Sequence, residues 1–269
     1  MKFLSSGLIA AISLFSATLA ESTNKCSSEI EWRLVYFFQT GEADLPYMPC
    51  HKDNSGNGYS SGIINFSTRN GDALQVIKQY KESFVYTGEF DKYLDKLQEY
   101  ADNYDGSTEG LEGYCDVWET VSVDPPFWQA QRDVEDKMYG KPASDQAKKL
   151  GIQLPIVKAA IHDTAIARGP KGGSTTLEGI ISATNKKFSN DTDGPSGKTI
   201  SIGDYTVDEI AWLEEFLNAR ESIGSSNDKT SIKTFRYLIE EEEFYFTGNI
   251  KAYDWSNKLT TIRCPYENP

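Results

Sequence analysis

The chain has 269 residues, with 27 basic against 40 acidic side chains and a formal charge of −13. That much negative charge repels phosphate, so it argues against nucleic acid as a partner; a polycation is what the charge attracts. Two histidines, four cysteines with no close pair, and no His-Glu-x-x-His run leave little material for a metal centre or a histidine-based triad, and no cofactor is expected.

The first twenty residues read as a secretory signal peptide. Lys2 gives a positive start, Leu8 to Phe15 is apolar, and Thr18-Leu19-Ala20 ends the segment with a small residue. The apolar run is too short to cross a hydrocarbon core of roughly 30 Å, and no later stretch is long enough, so no membrane partner is expected. Residues 21–269 then form a single domain, in one body or two lobes, exported and acting as a monomer. In an exported chain Cys26, Cys50, Cys115 and Cys264 suggest two disulfides, with three pairings open. Two sequons, Asn65-Phe66-Ser67 and Asn190-Asp191-Thr192, are glycan acceptors if exposed, and the second lies in the more polar surroundings.

Helical periodicity dominates the rest. Ile30, Leu34, Phe37 and Phe38 mark a helix over Glu29 to Gln39. A polar stretch from Asp53 to Ser61, rich in Gly, Ser and Asn, breaks the chain, and Gly62 to Ser67 reads as a short strand. Helices follow over Ala73 to Tyr80 and Phe90 to Tyr100. Another starts at Pro125-Pro126, where a missing N–H costs nothing in a first turn. Leu154 to Ala167 lacks glycine and is apolar on most sides, which suits a central buried helix. His162 within it is read as a core residue, and His51, after Cys50, as a loop residue. Thr206-Val207-Asp208-Glu209 has the form of a capping box for a helix beginning near Ile210. The fold class is mainly α with a small β element.

With triad, phosphate-loop and metal chemistry excluded, carboxylates and aromatics remain. Aromatics make up 12% of the chain, and such a mixture suits carbohydrate: rings stack on sugar faces and carboxylates bind hydroxyls or amines.

Several segments, in order, resemble glycoside hydrolase family 46, the chitosanases. Glu29 to Glu42 is similar to the family's first helix. Tyr47, Ser55-Gly56-Asn57-Gly58-Tyr59-Ser60, Gly62-Ile63-Ile64-Asn65-Phe66 and Asn70-Gly71-Asp72 resemble its catalytic region. Phe127-Trp128-Gln129-Ala130-Gln131-Arg132-Asp133, His162-Asp163 with Gly169-Pro170, and Phe216-Leu217-Asn218-Ala219-Arg220 resemble later family segments. The resemblance implies a two-lobed, lysozyme-like fold with a cleft between the lobes. It implies cleavage of β-1,4 bonds in chitosan with inversion, one carboxyl giving a proton to the leaving oxygen and a second carboxylate activating water.

At the family's acid position stands Gln39, and at the base position Ser55. An amide has no proton to give at neutral pH, and a lone serine is a poor base. The water-positioning threonine is replaced by Ser60. Two displaced carboxylates are candidates for the missing roles: Glu42, on a neighbouring face of the first helix if that helix continues, and Asp53, two residues before Ser55. Substrate binding is carried over to Asp72, for the amine, and to Tyr47. A buried ion-pair network is carried over to Asp163, Arg220 and Arg236. The alternative is a catalytically inactive chitosan- or glycan-binding protein on the same fold.

Overall fold

The computed structural model describes residues 25–43, 47–224 and 228–266. The proposed signal segment, 1–20, lies outside the described residues. Two compact units divide the chain: Tyr36–Asp145, and the remainder, formed by the chain up to Val35 together with everything from Gln146 onward. Among the described residues no helix is long and apolar enough to cross a membrane.

Helix α1 covers residues 25–40, with Ile30, Leu34, Phe37 and Phe38 buried as their spacing predicts. In the unit Tyr36–Asp145 a small antiparallel sheet follows, made of β1 (Cys50–Lys52), β2 (Tyr59–Ser61) and β3 (Phe66–Ser67) in the order β1-β2-β3. The strand expected over Gly62 to Ser67 is corrected here. Gly62 and Asn65 have φ of 71° and 58°, and left-handed residues cannot continue an extended ladder, so 62–65 is the turn joining β2 to β3. Helix α2 (Asp72–Lys81), a 3-10 turn (Asp91–Tyr93), α3 (Leu94–Asn103), α4 (Tyr114–Val121) and α5 (Pro125–Glu135) complete the unit, and α5 runs through a π-helical turn (Asp136–Gly140) into α6 (Lys141–Leu150). The core is aromatic: Phe127 packs edge-on against Trp118 at 4.7 Å and against Tyr80 at 5.0 Å, and Phe90 and Tyr114 close the cluster. Each such pair contributes about 0.5–1.5 kcal/mol beyond area burial. Cys50–Cys115 staples β1 to α4.

The second unit is built on α7 (Pro155–Arg168), the buried helix that the sequence predicts; nine of its residues are buried, His162 among them. The His162 ring lies edge-on to Trp32 at 5.3 Å, a core position. Around it are α8 (Leu177–Asn185), the hairpin β4 (Thr199–Ile202) and β5 (Tyr205–Asp208), α9 (Glu209–Glu221), α10 (Lys229–Glu240), and a second hairpin of β6 (Ile250–Tyr253) and β7 (Leu259–Ile262) that periodicity did not suggest. Cys26–Cys264 joins α1 to the segment after β7. Instead of the expected capping box, Asp208 caps α9 through the N–H groups of Ile210 and Ala211. The Glu209 carboxylate instead accepts from Gln153 and Leu154, at the start of α7. Asn190 is exposed, while Asn65 is half-buried and its amide donates to the Gln39 carbonyl.

The ion-pair network is buried in this unit, with a changed membership. Arg220, 1% exposed, donates to Asp163 at 2.7 Å and to Asp228 at 2.8 Å, and Arg168 pairs with the other oxygen of Asp228. Arg236 does not belong to it: its side chain is exposed and pairs with Glu221 at 2.7 Å. Removing one partner of a buried network strands the others, so Arg220→Met is expected to lower unfolding free energy by about 3–5 kcal/mol. Arg236→Ala should cost less than about 1 kcal/mol. Urea titrations of both variants check the contrast, and equal losses would place Arg236 back in the network.

Candidate active site

The chemistry-bearing residues predicted near the front of the chain gather on the small sheet of the unit Tyr36–Asp145. The β1–β2 hairpin loop begins at Asp53, whose N–H donates to the Gly58 carbonyl at 2.8 Å. Gly58, with φ 78°, admits no side chain: a Cβ there would lie 2.2 Å from Thr68 Oγ1. The Asp53 carboxylate points back into the loop. Its Oδ1 accepts from the Ser55 N–H and hydroxyl, both at 2.6 Å. Its Oδ2 accepts from Asn57 Nδ2 at 2.7 Å and from the Ser60 hydroxyl at 3.3 Å. Partial burial pushes this carboxyl up, but the bonds from Ser55, Asn57 and Ser60 outweigh it and hold the group below the usual carboxylate range. Asp53 therefore stays ionised at neutral pH. It joins Ser55 in the loop to Ser60 on β2 through one carboxylate.

Asp72 occupies the other side of the same ribbon. Ser60 pairs with Ser67 across the β2–β3 ladder, and the Ser67 N–H donates to Asp72 Oδ1 at 2.6 Å, with Ala73 adding a second N–H at 2.9 Å. The Tyr139 hydroxyl, from the π-helical turn, donates to Asp72 Oδ2 at 2.9 Å. Asp72 is 4% exposed. Burial raises its carboxyl to about 6 against the lowering effect of these bonds.

Tyr47 lies before β1, with its ring stacked on Trp128. Gln39 is the penultimate residue of α1, and its carbonyl accepts from Asn65 in the β2–β3 turn. The helix ends at residue 40, so the condition that would carry Glu42 onto a helix face is not met. Glu42 is exposed, with its N–H donated to Thr40 Oγ1 at 3.2 Å. His51 lies in strand β1, exposed, instead of in a loop. Among the described residues no three His, Cys, Asp or Glu gather as metal ligands.

Two supporting residues escaped the sequence reading. Tyr139 is 67 residues from Asp72 and no local pattern links them. Gln131 is fully buried; its Oε1 accepts from the Ile63 N–H and its Nε2 donates to the Tyr47 carbonyl, both at 3.1 Å. Its segment, Phe127 to Asp133, carries the family resemblance, but only an inward-facing amide on an amphipathic helix marks Gln131 itself as a clamp.

The sequence pattern of Glycosyl hydrolase family 46 matches residues 33–253. The chain belongs to glycosyl hydrolase family 46. A chitosanase of Bacillus subtilis (strain 168) is 29% identical over 251 residues, covering 88% of this chain and 86% of that protein. A chitosanase of Nocardioides sp. (strain N106) is 30% identical over 235 residues, covering 87% and 73%. Among solved structures, a mutant chitosanase of Bacillus subtilis MY002 complexed with 6 GlcN superposes with a TM-score of 0.76 at 25% identity, covering 89% of this chain and 99% of that one. The family 46 chitosanase of Gynuella sunshinyii complexed with chitotetraose gives 0.76 at 26%, covering 88% and 97%. The mainly helical fold with small sheets is that of this family.

In this family 46 chain the buried Asp72 makes stability depend on pH. Its folded value, about 6, lies above the ordinary 3.8, so the folded state holds the proton more tightly. The stabilisation is complete below about pH 4 and is lost as pH rises through about 6. Asp72→Asn keeps the acceptor for Ser67 and Ala73 and removes the titration. Urea unfolding from pH 4 to pH 7 should therefore show the wild type losing about 2 kcal/mol relative to the variant, and parallel curves would refute the buried titration.

Proposed function

We propose that this family 46 chain is an exported glycosidase that hydrolyses β-1,4 bonds in chitosan with inversion, Asp53 serving as the water-activating carboxylate. The observation that carries this reading is the Asp53 carboxylate, held ionised by Ser55, Asn57 and Ser60. A water taking the place of one donor on Oδ2 would sit between that carboxylate and the Ser60 hydroxyl, which is the arrangement general-base attack needs. The charge of −13 favours a polymer of protonated amines. Glu42, the first carboxyl beyond α1, takes the proton-donor role that Gln39 cannot fill. Tyr47 contacts the sugar, and Asp72 reaches the amine through the oxygen that Tyr139 now occupies.

A specific observation favours a second reading, binding without turnover: α1 ends one residue after Gln39, and Glu42 is exposed on the chain that follows. One experiment separates the two. The purified chain is incubated with chitosan, and new reducing ends are measured for wild type, Asp53→Asn and Glu42→Gln. The first reading expects activity in the wild type and a loss of at least about 100-fold in each variant, the usual scale for removing a general acid or base. Salt-sensitive chitosan binding with no new ends would establish the second reading. Activity that survives in Asp53→Asn would remove Asp53 from the reaction.

A further inference from the structure

Trp128 stands in the first turn of α5, a position where an amphipathic helix could equally expose a polar residue. Its indole ring instead stacks nearly parallel on Tyr47, with centroids 5.3 Å apart and planes 17° apart. The pair is held rigidly from below. The Tyr47 carbonyl accepts from Trp118 Nε1 and from Gln131 Nε2, each at 3.1 Å, and both donors sit on fully buried residues. The Trp128 N–H is satisfied by the Ser122 carbonyl, so the ring is oriented without needing water. Trp128 nonetheless remains 37% exposed. An oriented aromatic ring that stays partly exposed in this way suits a binding surface.

Its connection to the candidate active site runs through one side chain. Gln131 holds Tyr47 with its nitrogen and the Ile63 N–H with its oxygen, and Ile63 lies in the turn that follows β2, three residues from Ser60. The Gly62 N–H, in turn, donates to the Pro49 carbonyl at 2.7 Å, two residues from Tyr47. The ring pair and the Asp53–Ser60 ribbon therefore share one rigid frame. A pyranose in the β-1,4 series presents an apolar C–H face of the size of an indole ring, and stacking on it needs no charge.

We propose that Trp128, stacked on Tyr47, is a sugar platform that carries the apolar face of a glucosamine residue and lengthens the chain of units gripped beside the Asp53–Ser60 ribbon. This rests on the proposed action on chitosan, deepening it with an uncharged contact.

Two variants isolate the flat ring. Trp128→Leu fills the space against Tyr47 but has no aromatic face; Trp128→Phe keeps one. Binding of a glucosamine hexamer is measured by calorimetry at low temperature for wild type and both variants, at about 50 mM and about 500 mM salt. The expected result is roughly tenfold weaker binding for Trp128→Leu, about 1.4 kcal/mol, and binding within about threefold of wild type for Trp128→Phe. Because stacking is uncharged, the Leu penalty should be the same at both salt concentrations, whereas contacts with the amines weaken in salt. Unchanged affinity in Trp128→Leu, or equal losses in both variants, would overturn the platform and leave the proposed function standing. A wild type that does not bind the hexamer would overturn both.

Discussion

A sheet whose strands have two and three residues cannot hold its register by its own ladder. The β1–β2–β3 ribbon is held instead by bonds from outside it. Asp72 takes the Ser67 N–H, Gln131 takes the Ile63 N–H, and Cys50–Cys115 ties β1 to α4. The candidate-site groups other than Glu42 hang on this frame. Asp53 and Ser60 lie on the β1–β2 hairpin, Tyr47 is gripped by the same Gln131, and Gln39 is bonded through Asn65 to the β2–β3 turn. Glycine is required where the frame is tightest. At Gly62, φ is 71° and a Cβ would lie 2.2 Å from Gln131 Oε1, so the clamp and the turn exclude a side chain together.

The two carboxylates attached to this frame have been pushed apart by their surroundings. Asp53 is half-buried and meets four donors, so its charge is well compensated. Asp72 has three donors but almost no water, and desolvation wins, bringing it to about 6. A buried carboxyl near neutrality is an expensive way to anchor a strand end, since an amide would accept the same two N–H bonds. The buried arginine network in the other unit is a different case, with Arg220 compensated by two aspartates and a threonine hydroxyl.

Long-period features were legible in the sequence, and short-range geometry was not. Helix α7 showed itself by its glycine-free apolar run, and α5 by Pro125-Pro126, because burial and proline chemistry both act over a full turn or more. The strand misplaced onto Gly62 to Ser67 carried its own warning, since Gly62 and Asn65 are residue types that tolerate positive φ. The capping box was misread because Thr206 already pairs in β5, opposite Ser201, leaving Asp208 to cap α9. Arg236 and Arg168 are equally plausible partners by composition; only the packing of α7 and α10 decides that Arg168 reaches Asp228. The Asp53 loop was half-legible: an aspartate two residues before a serine suggests a local side-chain bond, but its reach to Ser60 depends on the β1–β2 register.

The two halves of the proposed reaction rest on elements of unequal stiffness. The water-activating side is preorganised, with Asp53 fixed by four bonds in a closed hairpin loop. The donor side is not, because the amide at Gln39 has no titratable proton and Glu42 lies on exposed chain past the helix end. Preorganised groups lower a barrier without reorganisation cost, whereas a donor that must first be placed pays that cost in the transition state alone. Any deficit relative to a chain with an acid at the end of α1 should therefore fall on turnover and spare substrate binding. A general acid contributes about 10²–10⁴-fold, so the size of the deficit measures how far the exposed carboxyl compensates for the amide. On the proposed mechanism, the physical distinction between a slow hydrolase and a pure binder is the time Glu42 spends within reach of the leaving oxygen.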